Sequence, residues 1–172
     1  MKKYLKDSEI TELLKKITII SDTREKVNDH ILKYFDNKKI PYIKRSLQTG
    51  DYSAMIGDMT LEHEITIERK SSLDELAGNL TTDRQRLEGE FTRAKADGLK
   101  VILLIENGSW EDIELHNYIS KLEPKSFTAT LYAWQVRYNI TVNFCKPNTS
   151  GKIIYGHLYY AAREALKKGE II

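Results

Sequence analysis

With 172 residues the chain is long enough for one domain that buries about 70% of the surface its unfolded form exposes, so stability needs neither a disulfide nor a structural cofactor. Lys and Arg total 27 against 25 Asp and Glu, a formal net charge of +2, so bulk charge does not establish a polyanion partner and any nucleic-acid footprint must be local. The single Cys145 excludes a disulfide framework and a Cys-rich zinc site, and no segment reads as a secretory signal or membrane span; a soluble, cytoplasmic protein is expected.

Taken in chain order, Ser8 predicts an N-cap for a helix through Lys16, within an N-terminal helical extension over residues 1–16, before a main domain over residues 17–172. The run ITIISD reads as a buried strand that delivers Asp22 at its end. In REKVNDHILKYFDNKK, Val27, Ile31 and Phe35 recur at helical spacing, and Pro41 stops the helix. The stretch YIKRSLQTGDYSAMI is extended. Gly57 and Asp58 mark a turn, so residues 51–56 and 64–70 are expected to pair as antiparallel strands. Ser72 with Glu75 predicts a capping box for a short helix. Thr82 with Gln85 predicts another, for a helix that buries Leu87, Phe91 and Ala94 and ends at Gly98. KVILLIE is a continuous apolar run, hence a central strand. Ser109 caps a short helix; residues 126–138 form another, ITVNF a last strand, and residues 149–168 a long closing helix. Strands alternating with helices predict a sheet covered on both faces, a three-layer α/β domain.

A carboxylate, one residue and a lysine place acid and ammonium on one face of a strand. The pattern occurs as Asp36-Asn37-Lys38, Glu68-Arg69-Lys70 and Glu123-Pro124-Lys125. The first falls at a frayed helix end and the third contains a proline, so the middle copy is the candidate. In EITIERK, Ile65 and Ile67 alternate with Thr66 and Glu68, predicting one buried face with Glu68 and Lys70 on the other. Asp51 begins the partner strand, and the hairpin brings its carboxylate beside Glu68. Two adjacent carboxylates repel unless a cation neutralises them, and hard oxygen donors with no nearby His or Cys favour Mg²⁺ or Mn²⁺ over Zn²⁺. A lysine beside such an ion suits phosphodiester hydrolysis. Other motifs carry less. TSGKI lacks the residues of a phosphate loop, the histidines have no ligand spacing, and Tyr155, Tyr159 and Tyr160 read as core or interface aromatics.

The combination of GDY with ERKSSLD resembles the Gly-Asp, Glu-Arg-Lys, three residues, Asp signature of the XPF-type structure-specific endonucleases. SDTREK resembles that family's Asp-x-Arg-Glu, and DRQRLEGEFTRAK and VILLIENG resemble its arginine-bearing helix and following strand. The resemblance implies a restriction-endonuclease-like three-layer sandwich, a central mixed β-sheet flanked by helices. It implies Asp51, Glu68 and the Arg69 carbonyl as metal ligands and Lys70 as the catalytic lysine. Asp22, Arg24 and Glu25 join from the first strand, where the carboxylates orient Lys70 or a second ion. The Arg69 side chain is expected to brace the site through Asp74, unless Asp74 serves only the helix dipole. Arg84 falls where the family has an arginine near the scissile phosphate; Arg86 and Arg93 touch DNA backbone or lie on a solvated face.

The expected function is a Mg²⁺- or Mn²⁺-dependent DNA endonuclease acting at branches, flaps or single-strand/duplex junctions. A catalytically inactive DNA-binding adaptor and a sequence-specific nuclease are the alternatives. The chain is expected to lack the helix-hairpin-helix domain of many members. Its closing helix has two adjacent apolar stripes, Ile154, Leu158, Ala161, Ala165 and Tyr155, Tyr159, Ala162, Leu166, which suit either a homodimer or a deeply buried helix in a monomer.

Overall fold

A computed structural model describes residues 4–169. The elements run α1 (Asp7–Leu14), β1 (Ile17–Ser21), α2 (Asp29–Lys38), β2 (Tyr42–Lys44), β3 (Tyr52–Ile56), β4 (Met59–Thr60), β5 (Ile65–Lys70), α3 (Leu73–Thr81), α4 (Arg84–Ala96), β6 (Lys100–Glu106), α5 (Trp110–Glu114), α6 (Pro124–Tyr138), β7 (Thr141–Cys145) and α7 (Pro147–Lys168). The strands form one mixed sheet in the order β2-β1-β3-β5-β6-β7, with β4 paired to β3. β3 runs antiparallel to both β1 and β5, whereas β5, β6 and β7 are parallel. The carboxyl ends of β1, β5 and β6 therefore meet the amino end of β3 at one edge of the sheet.

Each face has its own core. Ile19, Tyr52, Ile67 and Leu104 pack with Ile10 of α1, Phe35 of α2 and Leu158 of α7. Val101, Leu103 and Ile105 pack with Leu76 of α3, Leu87 and Phe91 of α4, and Phe127 and Trp134 of α6. Parity along the strands sorts the two sets, since neighbouring side chains leave opposite faces. The result is the three-layer mixed-sheet sandwich expected. Among the described residues no helix is long and apolar enough to cross a membrane.

Several local expectations change. Lys6, not Ser8, is the N-cap of α1, with Glu9 accepting the Lys6 backbone N–H at 2.8 Å. Val27 precedes α2 and is 78% exposed, because the chain there is held by its carbonyl rather than its side chain. α4 starts after Asp83, while the Thr82 hydroxyl bonds back to the Gly78 carbonyl at 3.0 Å and so continues α3 instead of capping the next helix. The Gly57 turn joins β3 to the short β4, and β5 then pairs with β3 at Tyr52 and Ile67. β5 is buried on both faces rather than one, Thr66 included, whose hydroxyl donates to the carbonyls of Thr49 and Tyr52. Both stripes of α7 are used inside the chain. Ile154, Leu158, Ala162 and Leu166 are buried and Tyr155 and Tyr159 pack half-buried on the same core, leaving Tyr160 exposed.

Candidate active site

Asp51 is fixed through its backbone. Its N–H donates to the Ile67 carbonyl at 2.7 Å and its carbonyl accepts from Asp22 N–H at 2.8 Å, so it is tied to β1 and β5 together. Gly50 permits this. It has φ +78°, and a Cβ there would come within 2.1 Å of Thr66 Oγ1 and 3.0 Å of the Ile67 carbonyl oxygen. One Asp51 oxygen accepts the Arg69 backbone N–H at 2.7 Å. Two residues apart on β5, Glu68 and Lys70 are joined by a 2.8 Å bond from Nζ to Oε1, both nearly withdrawn from solvent. Asp51, Glu68 and Lys70 line one cavity of about 390 Å³ with Arg24, Glu25 and Glu75.

The electrostatics follow from crowding of like charge. Burial first and the Glu68 carboxylate second push the Asp51 carboxyl well above its usual range, which the Arg69 N–H only partly offsets. Burial acts to lower the Lys70 ammonium, but the charge and hydrogen bond of Glu68 outweigh it and raise its pKa. Lys70 is therefore a cation in the site, not a free base. An Asp51 carboxyl this reluctant to ionise beside a second carboxylate, on a strand with its own carbonyl groups, fits a hard divalent cation. Among the described residues no three His, Cys, Asp or Glu side chains converge as a complete metal cage.

The neighbouring residues divide between the two faces of the sheet. Asp22 is fully buried; its carboxylate accepts from Arg24 Nε at 2.7 Å, Arg24 Nη2 at 3.2 Å, Arg24 N–H at 2.8 Å and Leu47 N–H at 2.6 Å. Burial alone would raise its pKa, and these donors carry it below the ordinary Asp value. With its oxygens so engaged, Asp22 orients Arg24 and the segment before Asp51, and not Lys70. The Arg24 side chain is 68% exposed at the cavity wall. Arg69 turns to the opposite face, as alternation requires, but its partner is not Asp74. It forks onto Glu106 and reaches Glu25 at 2.9 Å. Asp74 instead accepts the backbone N–H groups of Ile119 and Ser120 at 2.8 and 2.7 Å, which fastens the loop before α6 to α3. The Arg84, Arg86 and Arg93 expected at DNA all lie on the exposed face of α4, where Arg84 and Arg86 pair with Glu88 and Glu90 one turn on.

The model of the ERCC4 domain matches residues 21–156, most of the chain. The chain belongs to the ERCC4 domain family. No curated protein matches it. Its fold is similar to XPF from Aeropyrum pernix, at TM-score 0.62 and 20% identity over 83% of this chain and 65% of that one. It is likewise similar to the same protein in complex with DNA, at TM-score 0.62 and 21% identity over 88% and 66%. This ERCC4 domain thus spans just under two thirds of each of these two chains. Within it, the sequence missed Glu106, 2% exposed at the end of β6. The signal was present: an acidic residue closes a run of five apolar ones, where water would not be available to it. A larger groove, about 690 Å³, lies between α7 and β7 around Asn143, Phe144, Ile153 and His157, but no two carboxylates meet there.

Proposed function

We propose that this ERCC4 domain is a metal-dependent DNA endonuclease, acting with Mg²⁺ or Mn²⁺ on branched, flap or single-strand/duplex junction DNA. The observation that carries the reading is the convergence of Asp51, Glu68 and Lys70 in one cavity at the sheet edge. Asp51, Glu68 and the Arg69 carbonyl would hold the ion, which when bound polarises a phosphoryl oxygen and acidifies a water. Lys70, kept protonated by Glu68, supplies fixed positive charge for the oxygens that gain charge as the phosphodiester is attacked. Arg24, aimed by Asp22, offers a second cation at the wall of the cavity for a backbone phosphate. Glu25, whose pKa burial raises against the pull of Arg69, adds a carboxyl that gives up its proton less readily than an exposed one.

The deciding experiment incubates the protein with labelled linear, splayed, flap and four-way DNAs in Mg²⁺ or Mn²⁺. Cleavage is expected on at least one branched substrate, abolished by chelator and by Asp51→Asn, Glu68→Gln or Lys70→Ala. No cutting of any substrate, with tight DNA binding retained, would favour the adaptor instead.

A further inference from the structure

A buried ionic cluster lies on the face of β5 opposite Glu68 and Lys70, and the proposed chemistry uses only Glu25 and the Arg69 carbonyl from it. Glu106 is the hub. Its Oε1 accepts from Arg69 Nε at 3.0 Å and from Ser150 Oγ at 2.5 Å and pairs with His30 Nε2 at 2.8 Å, while Oε2 accepts from Arg69 Nη2 at 3.2 Å. A carboxylate this deep is tolerated only because donors from β5, α2 and α7 replace its water, and an apolar residue would close the strand end without that cost. The fork fixes the plane of the guanidinium, which an arginine does and a lysine does not. The donors left over are then aimed: Nη1 at Glu25 Oε1, 2.9 Å, and Nη2 at the Val27 carbonyl, 3.0 Å. Both acceptors lie in residues 22–28, a stretch with no helix or strand of its own that supplies Arg24 and Glu25 to the cavity.

We infer that Glu106 is a positioning residue of the site: by fixing the Arg69 fork it holds Glu25 and the 22–28 segment against the cavity lined by Asp51, Glu68 and Lys70. Glu106 itself touches no reacting atom. Its influence crosses the sheet through Arg69, whose backbone N–H holds Asp51 on one face while its side chain is held on the other. The inference rests on the endonuclease reading for its effect on rate, but not for its geometry.

The test measures Glu106→Gln, Glu25→Gln and the double variant for cleavage rate, DNA affinity, thermal midpoint and the ¹⁵Nε–H resonance of Arg69. Glu106→Gln should cut at least tenfold more slowly with DNA affinity unchanged, and should shift the Arg69 resonance. Glu25→Gln should add little to it, because both act through one guanidinium. A wild-type rate in Glu106→Gln, or multiplication of the two defects, overturns the inference. Should Glu106→Gln fail to fold, Ser150→Ala takes its place: it removes one donor from Oε1, and slower cutting at unchanged affinity supports the inference while a wild-type rate overturns it. Should the wild-type protein cut no DNA, the endonuclease reading falls and the resonance decides alone. An Arg69 signal unmoved by Glu106→Gln then overturns the inference, and a shifted signal that Glu25→Gln also moves sustains it.

Discussion

The residue with the most unusual energetics is Asp51. Its carboxyl pKa is raised in the folded chain, so its stabilising contribution is complete below the unfolded value of 3.8 and is lost as pH rises through the folded value. In chelator at neutral pH, Asp51→Asn should therefore melt higher than the wild type, because the amide still accepts from Arg69 N–H without repelling Glu68. The advantage should shrink as the pH falls toward 4, measured by thermal melts across pH; an equal gap at all pH values would contradict it. Adding Mn²⁺ should raise the neutral-pH melting point of the wild type and not of the variant. Asp22 behaves in the opposite sense. Its donors lower its pKa, and Asp22→Ala leaves the buried Leu47 N–H without its acceptor, a loss of about 2 kcal/mol by urea unfolding. The sequence showed Glu68 and Lys70 together because spacing of two on a strand fixes a shared face, and the antiparallel partner strand brought Asp51 to them. It could not show where a long side chain ends. Arg69 spans several ångströms, and Asp74, close in sequence, lost to Glu106, 37 positions away, because the register of β5 and β6 puts Glu106 on the Arg69 side of the sheet.

At the scale of elements, the turn before β3 is the most constrained. Gly50→Ala would combine a left-handed φ with contact against Thr66 and a backbone carbonyl, and should cost about 2 kcal/mol while dislodging Asp51. Denaturant titration with a parallel cleavage assay checks both; an alanine variant with wild-type stability would mean that the turn re-forms differently. The loop after α5 offers a second test. Asp74→Ala should expose the backbone after Lys121 to trypsin faster than wild type, and Asp74→Asn, which keeps an acceptor for Ile119 and Ser120, should not. Long periodic elements were legible in the sequence, since Leu87, Phe91 and Ala94 mark α4 and KVILLIE marks β6 through burial alone. Helix starts were less so. Ser8 and Thr82 were suitable cap types, but local bonds decided otherwise, Glu9 to the Lys6 N–H and Thr82 to the Gly78 carbonyl, while Val27 was held outside α2 by the tertiary bond from Arg69 to its carbonyl.

For the whole molecule, a net charge of +2 would confine the proposed DNA binding to a local footprint. Arg84 is half exposed and shared with Glu88, so Arg84→Ala should weaken binding without altering sequence preference and reduce the slope of log affinity against log salt by about 1. An unchanged slope would leave Arg84 to Glu88 alone. A last consequence comes from β5, walled in by helices on both faces and paired with β3 and β6 along its edges. Such a strand opens only when the whole domain does, so the candidate catalytic residues on it have no private route to disorder. Heat should then silence cleavage and unfold the chain at one temperature, with no cooler phase in which an intact fold has lost its activity.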